Sequence, residues 1–578
     1  MKVFRKLNKL LERQQKLSML YLLVLMLISA FLETTSITML FPIIQALMKP
    51  EAVQSGFTGW LYKFVGAKSV SQFIILVMLI MILAFVVKNL FLFYEQKKLY
   101  KFIYHNQFRT SERMMRNYLH RGYEEYLNAD TAVIQRNVTT DVSNMYYYIL
   151  AMLQVASEAI MFLAIVFLMI VTDVLMTVVI AATLLLTLLI VKKLIKPVVR
   201  KAGQDNQDYY SSMFKWISQS VAGIKELKIA SKEQYFVDQY IKYGKGYVDA
   251  VQKYNIYSNV PRLLIETVCI ASMLGYLIAV VALGGNVDAM TSVIAIFAIA
   301  AMRLMPCANR INNYLTSLAY YEPFLMGVSD NLKDEANKKE STSGFASVDE
   351  EKLEIKKELV LSDITYAYPN NMETLIFDHA QMVVPIGASV GIVGTSGAGK
   401  TTIVDILLGL LELKEGTICA DGVNIKDNYH GFLKNVGYIP QMIFMLDDTI
   451  LRNVAFGVPD DKIDRDKAIR ALKEAQLDEF VLGLEEGLDT KIGERGVRLS
   501  GGQRQRIGIA RALYEDPEIL ILDEATSALD NETESAIMDS INHFKGRKTL
   551  VIIAHRLQTI EKCDIVYRVQ DGKIIKDR

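Results

Sequence analysis

Residues 394–402 read GTSGAGKTT, and nearly every residue type in that run has a use in holding phosphate. Gly394, Gly397 and Gly399, with Thr395, Ser396 and Ala398 between them, let backbone N–H groups close around phosphate oxygens at a helix start. Lys400 brings a positive charge to the terminal phosphates of a nucleoside triphosphate. Thr401 offers Mg²⁺ a hydroxyl, and Thr402 continues into the helix. The setting matches, because ASVGIVG before the run is an apolar strand and TTIVDILLGLL is a helix. A second run, EILILDE at 518–524, is a buried strand ending in two acids. Asp523 stands where a carboxylate helps to hold Mg²⁺. Glu524 is placed to polarise an attacking water as a general base. Together the two runs imply hydrolysis of a nucleoside triphosphate.

That machinery sits in the second half of a chain of 578 residues whose first half is far greasier. Mean hydropathy is +0.23, and the apolar excess lies before about residue 305. A formal net charge of +1 gives no sign of a polyanion-binding surface, so no nucleic-acid partner is expected. Cys269, Cys307, Cys419 and Cys563 are far apart and form no C-x-x-C, which argues against a disulfide scaffold or zinc site.

Six stretches approach or exceed the ~20 residues needed to cross a bilayer as a helix: 17–32, 71–93, 145–172, 174–195, 263–283 and 287–307. The basic start, MKVFRKLNKLLERQQK, reads as a short interfacial helix before a retained span, and it places the N-terminus in the cytoplasm. Six crossings bring the chain back to that side. Segments 97–136 and 192–253 are rich in Lys and Arg, whereas 43–70 is poor in them, which gives the same orientation. Both basic segments keep helical spacing and reach far below the membrane, with candidate turns at YLHRGYEEYLN and VAGIKELKIASKE. In the outer loop, Phe57, Trp60, Leu61, Phe64 and Val65 share one face of a short helix, expected to lie in the bilayer interface. The charged and small residues of 330–358 read as a linker, giving a membrane domain at 1–329 and a nucleotide domain at 359–578.

LSGGQRQRIGIARAL, from Leu499, resembles the signature sequence of ATP-binding cassette (ABC) ATPases, and 359–578 resembles one such domain throughout. The resemblance implies ATP with Mg²⁺, and it assigns further residues. Tyr368 would stack on adenine. Gln441 would sense Mg²⁺ and the membrane domain. Glu494, Arg495 and Gly496 form the short motif that touches coupling helices in exporters. Ser527 to Asp530 form the D-loop, and His555 would contact the γ-phosphate. Ser500, Gly501, Gly502 and Gln503 open a helix, a second anion site that in the family meets the nucleotide of the opposite subunit. The metal set so implied is Thr401, Gln441 and Asp523. The whole chain resembles an ABC exporter half-transporter of type IV: an α-helical polytopic membrane domain plus an α/β P-loop ATPase domain. The two candidate turns sit where that family places its coupling helices.

The resemblance implies a homodimer in a bacterial cytoplasmic membrane, with the nucleotide domains in the cytoplasm. AFLETTSITMLFPIIQAL and CANRINNYLTSLAYYEP resemble bacterial half-transporters that flip lipid-linked oligosaccharides. A peptide or multidrug exporter is the alternative, and an ATP-gated channel a more distant one. Lys88, Arg262 and Arg303 fall in the inner part of the membrane region, where charges are costly. They are expected to form a basic ring for an anionic, amphipathic headgroup, with Glu158 and Glu266 as candidate counter-ions.

Overall fold

The computed structural model describes residues 2–38, 59, 60, 62, 63, 66, 69–172, 174–282, 287–337, 351–524, 541, 543–553 and 560–578. They form two compact units. One is Met1–Leu119 with Ala129–Lys339, and the other is Glu340–Arg578 with His120–Asn128.

The first unit is helical: α1 Lys2–Leu10, α2 Arg13–Thr38, α3 Val70–Leu119, α4 Thr131–Arg136, α5 Val142–Thr172, α6 Val174–Ala222, α7 Ile224–Ala230, α8 Glu233–Ala282 and α9 Val287–Asn337. Helices α3, α6, α8 and α9 span 50, 49, 50 and 51 residues. At ~1.5 Å per residue each is roughly 75 Å long, more than twice the thickness of a bilayer core. The polar half of α3 contains neither Gly nor Pro, and those of α6, α8 and α9 stay helical across a few isolated Gly and Pro residues. The first candidate turn is a 3₁₀ turn at Tyr123–Tyr126, and the second contains α7, closed by Ser231 in the left-handed region at φ 52°. Helix α9 runs past Asp330 to Asn337. The stretch DNLKDEAN is charged, but it contains neither Gly nor Pro, so its composition does not stop a helix.

Among the described residues, four helical stretches are long and apolar enough to cross a membrane: Arg13–Glu33, Val70–Leu119, Thr131–Phe167 and Thr177–Ala222. The fifth and sixth expected spans fall on α8 and α9, where 283–286 and the side chains of 287–303 lie outside the described residues. On α3, Ile75, Leu79, Leu83, Leu90 and Phe93 are all exposed, an apolar surface suited to lipid rather than water. The interior holds Leu22, Met26, Ile103, Met114, Val142, Tyr146 and Leu325, and Leu7 of α1 joins this cluster. Helices α6 and α9 meet backbone to backbone at Gly203, where a Cβ would stand 2.2 Å from the carbonyl oxygen of Tyr320. Of the expected outer-loop helix, Phe57, Leu61, Phe64 and Val65 lie outside the described residues, and Trp60 is exposed.

The second unit is α/β. An antiparallel sheet is formed by β1 Glu358–Tyr366, β2 Phe377–Pro385, β4 Glu415–Ala420 and β5 Val423–Asn424, in the order β2-β1-β4-β5. The other sheet has the order β10-β9-β3-β8-β7-β6, from β3 Ser389–Val393, β6 Val436–Ile439, β7 Ile519–Asp523, β8 Thr549–Ile553, β9 Ile565–Gln570 and β10 Lys573–Lys576. All its pairings are parallel except β9 with β10. Strands β7 and β8 are buried along their whole length, as strands covered on both faces must be. The phosphate-type run leaves the end of β3 and enters α10 Lys400–Leu407, while α11 is Gly501–Leu513.

Candidate nucleotide site

In a parallel sheet, ligands sit beyond the carboxyl ends of the strands. The order β3-β8-β7-β6 therefore brings four chain-distant segments to one edge: the turn after β3, the acids ending β7, the segment after β6 and the exit of β8. Gly397 and Gly399 have φ of 81° and 101°, values open to glycine without strain, and nothing lies within 4 Å of where a Gly397 Cβ would be. The turn is thus an open cradle of N–H groups. Lys400 is buried, and its ammonium donates to the carbonyls of Gly394 and Thr395, both at 3.1 Å. That tether keeps a cation at the mouth of the cradle.

Asp523 is buried, and Glu524 follows it at φ 47°, its amide donating to the Ile553 carbonyl of β8. Gln441 Nε2 donates to Glu524 Oε2 at 2.8 Å. This pairing joins the segment after β6 to the expected general base and leaves the Gln441 amide oxygen available as a ligand. Burial and then the neighbouring Glu524 charge push the Asp523 carboxyl above its usual range, a crowding that a cation would relieve. No group of three His, Cys, Asp or Glu fit for a metal occurs among the described residues. The donors present are one carboxylate, one hydroxyl (Thr401) and one amide oxygen, a hard and sparse set. Such a set suits Mg²⁺ when phosphates supply further ligands.

Tyr368 OH and Thr402 Oγ1 are 2.9 Å apart, which ties the aromatic expected on adenine to the helix after the cradle. The ring of Tyr366 meets Tyr368 edge-on at 5.3 Å. Tyr366 is wholly buried, and its hydroxyl donates to Glu124 Oε1 at 3.0 Å. The same oxygen accepts the Glu412 amide at 3.0 Å. Glu124 belongs to the 3₁₀ turn of His120–Asn128, so a segment drawn from between two long helices completes this unit. Ser500 caps α11: its Oγ accepts the Gln503 amide at 3.2 Å, and Gln503 Oε1 accepts the Ser500 amide at 2.8 Å. Ser500 and Gly501 are exposed, with Gly502 and Gln503 half-buried. The signature is therefore a pre-formed, open helix start. Arg495 of the short exporter motif sits at φ 55°. His555 and the D-loop of Ser527 to Asp530 lie outside the described residues.

Two family descriptions match this chain: the ABC transporter at 377–527, which carries the cradle and both acids, and the ABC transporter transmembrane region at 35–306. The chain belongs to the ABC transporter family. Among its relatives, the ATP-dependent lipid A-core flippase of Idiomarina loihiensis is 40% identical over 247 residues, 41% of this chain and 42% of that one. The Pectobacterium atrosepticum protein of the same description is 43% identical over 222 residues, 38% of each chain. ABC transporter B family member 17 of Arabidopsis thaliana is 38% identical over 38% of this chain and 18% of its own. These matches span about two-fifths or less of each relative's length. Among solved structures, a bacterial Atm1-family ABC exporter with ATP bound has the same fold. The TM-score is 0.76, at 21% identity, with 97% of this chain and 94% of that one covered.

In this ABC transporter, the residues expected to form a basic ring have different surroundings. Lys88 is buried, with its ammonium 4.6 Å from the Phe85 ring centre. Arg262 is exposed and lies 4.0 Å from Glu266, one helical turn on. The side chain of Arg303 lies outside the described residues. Glu158 is engaged by Arg310, whose Nε and Nη2 donate to its two oxygens at 2.6 and 3.0 Å. Sequence reading did not single out Arg310. The available signal was general, that an ionised group within a span finds a counter-ion.

Asp405 of α10 offers a pH test of the unit. Burial, and then the charge of Asp523, raise its carboxyl from 3.8 to about 6. The fold thus favours the neutral acid: this contribution is fully present below about pH 4 and is lost as the pH rises through about 6. Asp405→Asn is expected to raise the thermal midpoint by a few degrees at about pH 8 and to leave it unchanged near pH 4. Thermal unfolding of the full-length protein across that range checks the sign.

Proposed function

We propose that the protein couples hydrolysis of ATP to the flipping of an anionic, lipid-linked amphiphile, such as a lipid-linked oligosaccharide, across a bacterial cytoplasmic membrane. The observation that carries this reading is the Gln441–Glu524 pair beside Asp523 and the Lys400 cradle, in one chain with helices long enough to cross a bilayer. The N–H cradle and Lys400 grip the phosphates, and Tyr368 stacks on the base. Thr401, Asp523 and the Gln441 amide oxygen would hold Mg²⁺, which when bound would withdraw charge from the phosphates. Glu524 takes the proton of the attacking water, while Gln441 fixes its orientation. By the resemblance to the family, His555 would contact the γ-phosphate.

The exposed signature of Ser500, Gly501, Gly502 and Gln503 supports a second copy closing over the nucleotide. So do exposed apolar side chains at Ile224 and Ile229 of α7, and at Met442, Phe444 and Val497. The nucleotide units stand in the cytoplasm, and the helices of 1–119 and 129–339 form the membrane domain. The lipid-linked substrate class rests on sequence resemblance and on the names of the flippase relatives. ATPase activity in nanodiscs, titrated with purified polyprenyl-pyrophosphate oligosaccharide, amphipathic peptides and cationic drugs, tests it. Stimulation by the anionic glycolipid is expected. Stimulation by peptides or drugs alone would make the protein a peptide or multidrug exporter instead.

A further inference from the structure

Helix α6 stays apolar from Val174 through Val191, turns basic at Lys192 and Lys193, and carries Lys196, Arg200 and Lys201 on its next turns. The stretch from Val174 to Ile195 is ~33 Å long, close to the thickness of a hydrocarbon core. Lys196 and Arg200 therefore stand at headgroup depth, on the cytoplasmic side by the orientation argued above. At this level an open groove of about 820 Å³ begins along one face of α6, lined by Lys196, Pro197, Arg200 and Lys201 and then by Gln204, Asp205 and Asp208 further along. Pro197 lies inside the helix. Lacking an N–H, it cannot bond the Lys193 carbonyl, and its ring crowds that turn.

Glu322 of α9 arranges the charges at the start of the groove. Its carboxylate, largely buried, receives Arg200 Nη2 at 3.4 Å and Lys196 Nζ at 3.9 Å. Both cations remain about half exposed. Charge-assisted hydrogen bonds run at about 2.7–2.9 Å, so these contacts are loose, and most donors of both cations stay available. One carboxylate shared by two cations also leaves a net positive charge. Simple snorkelling would send each side chain separately to the headgroups. Here one largely buried acid draws both cations together where the groove begins. The acids lie further along the helix, away from the headgroup level.

We propose that this groove binds the phosphodiester headgroup of an anionic glycerophospholipid of the inner leaflet. Lys196 and Arg200 grip the phosphate, and Glu322 is the internal counter-ion that the lipid displaces. The site rests on the membrane orientation given above, and it does not require the transported substrate to be a lipid.

Native mass spectrometry of the full-length protein with added phosphatidylglycerol reads the site without ATP turnover, so its result is independent of the transport reading. The Lys196→Gln/Arg200→Gln double variant is expected to bind phosphatidylglycerol roughly thirtyfold more weakly, from the strength of two juxtamembrane basic residues. A Lys196→Arg/Arg200→Lys variant, which keeps both charges, should restore most of the binding and so separates charge from folding. Glu322→Gln should act in the opposite sense and tighten binding, because it frees both cations. Inorganic phosphate should fail to displace the lipid, since it brings no acyl chains. Wild-type retention by the double variant, weakened binding in Glu322→Gln, or ready displacement by inorganic phosphate would each overturn the assignment.

Discussion

The Glu524→Gln variant is expected to bind ATP as tightly as wild type and to hydrolyse it roughly a thousandfold more slowly, in the range of a lost general base. The substitution is nearly isosteric. Its amide oxygen can still accept the Gln441 Nε2 hydrogen bond seen at 2.8 Å, so the local geometry survives while the basicity goes. Nucleotide affinity by equilibrium binding and steady-state ATPase in nanodiscs separate the two effects. A variant keeping half of wild-type turnover would remove Glu524 from its proposed role.

Lys400→Ala should fail at the earlier step. The ammonium is buried and held by the Gly394 and Thr395 carbonyls, so the charge is already placed before any phosphate arrives. Removing it deletes a charge-assisted phosphate contact worth about 1.5–3 kcal/mol, a loss of affinity of roughly 10- to 100-fold. It also takes a donor from the Gly394 carbonyl, while the Thr395 carbonyl keeps the Ala398 amide at 3.2 Å, so the cradle should loosen at its Gly394 end. A fluorescent ATP analogue titrated into the full-length protein measures this, and an unchanged Kd would contradict the role.

What the sequence disclosed divides along the distance between partners. The cradle was legible because strand, turn, lysine and hydroxyl are contiguous, and the physics of each is local. The acids ending β7 were legible for the same reason. The contact of Gln441 with Glu524 spans 83 residues, and only resemblance to a family put Gln441 in the site. Glu124 with Tyr366, 242 residues apart, and Glu158 with Arg310, 152 apart, left no trace in any local pattern. Such pairs are decided by how helices and strands pack, which period and composition do not encode. The helix α9 continues to Asn337 at the head of the expected linker, because the charged stretch DNLKDEAN holds neither Gly nor Pro to stop it.

The grip of Glu124 on Tyr366 and on the Glu412 amide bears on what counts as a module in this protein. Judged by hydrophobicity, the chain divides cleanly, with a greasy half followed by a water-soluble half that looks portable. Judged by hydrogen bonds, it does not. A C-terminal half grafted onto a foreign membrane half would arrive without the residues of His120–Asn128 and would leave a buried tyrosine hydroxyl seeking an acceptor. The piece that lineages can trade without loss is therefore discontinuous: the C-terminal half together with a short loop encoded more than two hundred residues upstream. Exchange at a single crossover near residue 340 cannot carry both pieces.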